Sequence, residues 1–224
     1  MEQNSSRRGG RPPRYDRDEV VDKAQQLFWQ EGTSAVSIDA LSSAIGLHKP
    51  SLYAAFGGKA GLYAAALEAY IERGAPDVQG ALDRVPLRAA LEAFFEADLD
   101  VFCGDEGRRG CFLVGTAIEA SAKAPELRSR VEGVFAGLRR VLRDRLARSV
   151  ADGDLDPGAE VDALTEILFS AHIALSVEAR AGAQRAELRK NYLRVVGFLD
   201  SLARPGAAGP AESPSGPAAA SEAG

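Results

Sequence analysis

Residues 37–56 read SIDALSSAIGLHKPSLYAAF, and this stretch decides the architecture. Ile38, Leu41 and Ile45 recur at helical spacing behind Ser37, whose side-chain oxygen can accept the unpaired amides of a first helical turn. Gly46 then supplies the left-handed residue that ends a helix. A second short helix is predicted to start near His48. It tolerates Pro50, whose ring fits only in a first turn, and buries Leu52 and Phe56. Two short helices joined by a glycine turn, each with apolar positions that lock across the other, make a helix-turn-helix. In such a unit the second helix enters the DNA major groove with its N-terminal residues at base edges, while the first crosses the backbone.

The residues that would do this work are of suitable chemistry. His48, Lys49, Pro50 and Ser51 stand at the N-terminus of the second helix, where free amides also favour phosphate. Lys49 can donate to guanine, Ser51 can bond several base edges, and the Pro50 ring can touch a thymine methyl. Tyr53 projects beside them with a hydroxyl suited to a phosphate oxygen, and Lys59 opens the next helix with a cation for the same purpose. Periodicity alone leaves a second reading open, because glycine-joined helix pairs also occur as plain structural elements. Asp39 is acidic, which counts against a base contact from the first helix and favours a structural role for that residue.

Outward from this core the chain reads as helix throughout, an all-α protein. Asp16-Arg17-Asp18-Glu19 has the pattern of a capping box, and Val20, Ala24, Leu27 and Phe28 follow at helical spacing until Gly32. After Gly57-Gly58 a fourth helix is predicted from Lys59 to about Gly74, with Pro76 closing the unit. Further helices are expected near 86–103, 109–122, 125–152, 158–181 and 184–203, separated by Gly104/Gly107, Pro125, Gly153–Pro157 and Gly182. The organisation expected is a flexible basic arm at 1–15, a helix-turn-helix DNA-binding domain at 16–75, a second helical domain at 76–204, for which the family resemblance set out below implies ligand binding and dimerisation, and a disordered tail at 205–224 rich in Gly, Pro, Ala and Ser.

Composition narrows the class. With 46% hydrophobic and 26% charged residues in 224, the chain has the balance of a soluble folded protein. No apolar run approaches the roughly 18–20 residues that span a bilayer, and 1–17 lacks an apolar signal core, so the cytoplasm is expected. The net charge of −5 argues at first against nucleic acid. Its distribution argues the other way: Arg7 to Lys59 holds eight Lys/Arg against six Asp/Glu, a local +2 against −7 elsewhere. Five of those arginines fall between Arg7 and Arg17, which concentrates positive field in the arm.

Phe28-Trp29-x-x-Gly32, Ser37-Ile38-x-x-Leu41, Gly46-Leu47-His48-Lys49-Pro50-Ser51-Leu52-Tyr53-x-x-Phe56 and Lys59 together resemble the TetR/AcrR DNA-binding domain. The leading GRPPRYDR, Gly10–Arg17, is similar to the arm that often precedes it. The resemblance is close over 10–70 and is a matching helix plan beyond Pro76. It implies that Ser37, Lys49, Pro50, Ser51, Tyr53 and Lys59 face DNA, with Arg11 and Arg14 of the arm, while Leu41, Leu52 and Phe56 pack. His48 occupies a slot that is frequently Ser or Thr, so it is expected to cap poorly and to contact phosphate instead. The family pattern further implies a homodimeric repressor of a palindromic operator, released by a small apolar inducer, without metal or cofactor. One recognition helix covers one half-site, so a pair spaced about 34–36 Å apart is required.

For the inducer, Phe94, Phe95, Phe102, Cys103, Cys111, Phe112, Phe135, Phe169 and His172, with Ile118, are the candidate lining. Ordinary core packing is the competing reading for each. Two apolar stripes, Val161–Leu175 and Leu188–Leu202, suit a two-fold four-helix bundle. Cys103 and Cys111 flank a segment with Arg108 and Arg109, which would favour a thiolate, so a thiol-based redox or electrophile-sensing repressor is an alternative. An enzyme is disfavoured: the chain has two His, no phosphate loop, no HExxH and no nucleophile elbow. A helical protein-interaction module without DNA affinity is the other rival.

Overall fold

The computed structural model describes residues 15–104, 110–119 and 125–202, and every regular element among them is an α-helix. The N-terminal elements are α1 (Arg17–Glu31), α2 (Ile38–Ile45), α3 (Lys49–Phe56) and α4 (Lys59–Leu82). The body comprises α5 (Leu87–Phe102), α6 (Phe112–Glu119), α7 (Pro125–Asp152), α8 (Val161–Ala181) and α9 (Arg185–Asp200). The expected arm, its Arg11 and Arg14, the tail, and Arg108 and Arg109 lie outside the described residues.

Local chemistry accounts for the element ends. Asp16 caps α1 by accepting from the Asp18 and Glu19 amides at 2.9 and 3.4 Å. The Glu19 carboxylate, expected to complete a capping box, pairs instead with Lys23 one turn on at 2.7 Å. Ser37 caps α2 by accepting from the Ala40 amide at 3.1 Å, and Gly46 ends that helix at φ 72°. The fourth helix does not stop at Gly74 as predicted but runs through Pro76 to Leu82. Pro76 removes one amide and so frees the carbonyl of Glu72. Both residues are exposed, so water can take that carbonyl, and burial of Ala81 and Leu82 carries the helix on.

One continuous core joins the two parts. Val20, Ala24, Phe28, Leu41, Ile45, Leu52, Leu62 and Leu67 are buried in the N-terminal unit, and Leu91, Phe94, Phe95, Leu142, Leu168 and Tyr192 in the body. Helix α4 packs on both α1 and α5, so it belongs to each.

Candidate nucleic-acid interface and the polar core of the body

The α2–α3 unit is held by few but well-buried contacts. Leu41 and Leu52 are fully buried and lock the two helices across each other. The Ser42 hydroxyl donates to the Leu47 carbonyl, which fixes the turn around Gly46. Helix α3 is anchored to α4 by close approach at Gly61, where an added methyl would stand 1.7 Å from the Phe56 carbonyl oxygen, so only glycine fits. The Arg17 guanidinium covers the other side, 4.4 Å over the Phe56 ring, and donates to the Ala55 carbonyl at 3.3 Å.

With its apolar side so held, α3 presents the predicted residues outward. His48, Lys49, Pro50, Ser51 and Tyr53 are all exposed, Tyr53 at 57%. His48 takes the N-cap position without a side-chain cap bond, as its residue type led us to expect. The Tyr53 ring lies against Gly58, where an added Cβ would meet the ring at 2.8 Å. Gly58, at φ 103°, therefore sets the direction of Tyr53. Ser37 is exposed with its oxygen engaged by the cap, and Lys59 is half-buried at the start of α4. Lys49 forms an ion pair with Asp39 of α2. Sequence reasoning had left these two apart, because their proximity depends on how α2 crosses α3.

In the body, the aromatic candidate ligand residues separate into four groups. Phe94 and Phe102 flank His172, with ring centroids at 5.8 and 5.5 Å. Phe95 turns the other way and stacks on Tyr192 of α9 at 5.2 Å. Phe135 and Phe169 meet between α7 and α8 at 5.4 Å, under the Arg139 guanidinium. Phe112 belongs to the junction with the N-terminal unit, packed on Trp29, Tyr63 and Tyr70. Cys103 is half-buried, Cys111 is buried, and Ile118 is 72% exposed.

The Phe94–Phe102 group holds a buried polar chain. His172 Nδ1 and Asp98 Oδ2 are 2.8 Å apart, joining α8 to α5. Burial disfavours the imidazolium, but the Asp98 carboxylate more than offsets it and the His172 pKa is pushed up to about 10, with Cys111 adding to the shift. Burial also pushes the Asp98 carboxyl up, with His172 pulling it back. The raised His172 pKa thus favours the imidazolium around neutral pH. Tyr70 of α4 reaches Cys111 Sγ at 3.3 Å, and the Cys111 amide donates to the Ser176 hydroxyl at 2.8 Å. Asp98 and Tyr70 were missed from sequence. A signal existed for Asp98: it falls four residues after Phe94 and four before Phe102, a carboxylate on a buried stripe.

This chain of groups touches the N-terminal unit directly. The Trp29 indole donates to the Gly110 carbonyl at 3.1 Å, next to Cys111. Arg180 of α8 donates to the Trp29 carbonyl at 2.8 Å, and the Thr33 amide donates to Glu119 of α6 at 2.7 Å. The Thr116 hydroxyl donates to Phe112, so the Tyr63 hydroxyl, 2.6 Å away, is the donor to Thr116.

An exposed helix-turn-helix joined through one long helix to a helical body defines a two-domain regulator. The comparisons agree. Residues 20–76 match the model for bacterial regulatory proteins of the tetR family, and 87–195 match the tetracyclin repressor-like C-terminal domain. The HTH-type transcriptional repressor ComR of Escherichia coli (strain K12) is 33% identical over 181 residues, covering 80% of this chain and 86% of that protein. The HTH-type transcriptional repressor BdcR of the same strain is 44% identical over 66 residues, 30% of this chain and 34% of its own. Among solved structures, a cysteine mutant of the TetR family transcriptional regulator CifR, complexed with 26-base-pair double-strand operator DNA, superposes with a TM-score of 0.78. It is 29% identical and covers 85% of this chain and all of its own. The chain belongs to the TetR family of transcriptional regulators. The relatives it matches are regulators, not enzymes. Among the described residues, no helix is long and apolar enough to cross a membrane and no metal-binding cluster occurs.

Proposed function

We propose that the protein is a homodimeric repressor that sets α3 of each protomer into successive major grooves of a palindromic operator and lets go when a small apolar effector enters the body. One observation carries this: Lys49, Pro50, Ser51 and Tyr53 are exposed together while Leu52 and Phe56 of the same helix are buried. Lys49 and Ser51 are then base-edge readers, and Ser37, His48, Tyr53 and Lys59 phosphate contacts, with Arg11 and Arg14 adding charge from the arm. Of the stripes expected to dimerise, Leu164, Leu168, Leu175, Leu188, Tyr192, Val196 and Leu199 are buried in the protomer's own core; Ala163, Ile167, Ser170, Ala174 and Val177 on α8, with Phe198 on α9, are the exposed positions that support a protomer interface there. The effector is proposed to bind among Phe94, Phe102, Cys111 and His172. From there a shift passes through Gly110 to Trp29 and changes the separation of the two α3 helices.

The test is selection of bound fragments from a random duplex pool, then affinity against salt. Two half-sites about 34–36 Å apart and a steep loss of affinity with salt are expected. Absence of any salt-sensitive duplex affinity would leave the protein-interaction reading instead.

A second reading is favoured by the contacts of Cys111 with Tyr70 and His172. In it the effector is a soft electrophile. The sulfur bonds to one carbon of a conjugated double bond, and the thiol proton ends on the neighbouring carbon. N-ethylmaleimide, with mass mapping of the adduct, tests it: operator release lost in Cys111→Ala supports the thiol, and release unchanged removes it.

A further inference from the structure

Asp39 and Lys49 come from different helices yet form one exposed donor–acceptor pair at the N-terminal mouth of α3. Their side chains are 72% and 46% exposed, so neither is committed to the core. In the major groove a G·C pair shows guanine O6 and N7 as acceptors and the cytosine N4 amino group as donor. O6 and N4 are bonded to each other within the pair, so that acceptor and donor lie about 3 Å apart. A cation and a carboxylate already side by side match that edge. The ammonium meets O6 and N7, and the carboxylate accepts from N4. An A·T pair offers a thymine methyl and a different order of groups, and reversing the pair to C·G exchanges the two partners.

Resting on the reading of α3 as the recognition helix, we propose that Asp39 and Lys49 act as a composite reader of a single G·C base pair, with Asp39 a specificity determinant rather than only a helix-end charge. On other sequences the cytosine N4 donor is missing from that place, and the carboxylate facing an acceptor or a methyl group weakens binding. An exposed pair of this kind contributes little to stability, so Lys49 and Asp39 can turn to a base pair without a large penalty.

Duplexes first selected from a random pool by the full-length protein serve as probes, each then altered at one base pair. Asp39→Ala, Lys49→Met and the double variant are compared by affinity, with thermal melts as a check on folding. Expected is about tenfold loss of discrimination at one and the same G·C pair in each single variant, with the double variant no worse than either. N4-methylcytosine at that pair should weaken the wild-type protein and leave Asp39→Ala unaffected. If Asp39→Ala instead shifts affinity equally for every duplex, or loses thermal stability with base preference intact, Asp39 is only a helix-end charge and the proposal falls. If the wild-type protein selects no duplex at all, it is the recognition-helix reading that has failed.

Discussion

In the α2–α3 unit the contacts that shape the exposed surface are mostly short in sequence: Ser37 caps Ala40, Ser42 ties Leu47, and Gly58 lies under Tyr53. The polar core of the body is built the opposite way. Asp98 meets His172 across 74 residues, Trp29 meets Gly110 across 81, and Arg180 reaches Trp29 across 151. The first region is a locally specified surface whose side chains stand in water and cost little to rearrange. The second is a buried network in which each group depends on a distant partner, so removing one strands another. A regulator gains from that division: the DNA-facing surface can exchange partners while the interior has a small number of discrete arrangements.

The contrast can be broken most sharply at Asp98. Asp98→Ala removes the carboxylate that keeps His172 protonated and leaves a neutral, buried imidazole without its partner; it is expected to cost about 3 kcal/mol, read by denaturant unfolding. The same pair gives a pH signature. Because the folded-state pKa of His172 is raised to about 10, its stabilisation is complete below the ordinary histidine value and is lost as pH rises through about 10. Melting temperatures between neutral pH and pH 10 should fall less in His172→Gln than in the wild type. An equal fall would show the imidazole to be neutral.

Next in size is Gly61→Ala, which drives a methyl into the Phe56 carbonyl. A loss of about 1–3 kcal/mol is expected, with operator affinity falling alongside because α3 must move. Retained stability would mean that the α3–α4 contact yields easily. Trp29→Phe deletes one indole bond, worth about 1 kcal/mol, and should blunt effector release more than DNA binding itself. Equal damage to both would place Trp29 in the fold alone. The smallest effect belongs to the exposed surface. Lys59→Gln should leave the unfolding free energy within about half a kcal/mol of the wild type and flatten the salt dependence of affinity by about one unit of slope, without altering base preference.

The same contrast explains what could be read from the sequence. The helix order, the caps at Asp16 and Ser37, the stops at Gly46 and Gly57, and the outward set on α3 follow from short-range rules, and all were legible. The end of α4 was misread because the local cost of Pro76, about 3 kcal/mol in a helix interior, is outweighed by the burial of Ala81 and Leu82 beyond it, which depends on the tertiary fold. The aromatic residues of the body were recognised as interior, but not their division among the His172 group, Tyr192, the α7–α8 contact and the Trp29 junction. That division depends on which helices cross, and neither spacing nor composition encodes it. Asp39 and Lys49 were each noticed, while their pairing was invisible for the same reason.

Trp29 is the chain's single tryptophan, and it sits on the bond that ties the N-terminal unit to the body. Its emission therefore comes from one place. The untreated protein carries its own optical gauge: wavelength and quenching should respond when that joint loosens, so effector screening can proceed by fluorescence titration with no label and no DNA present.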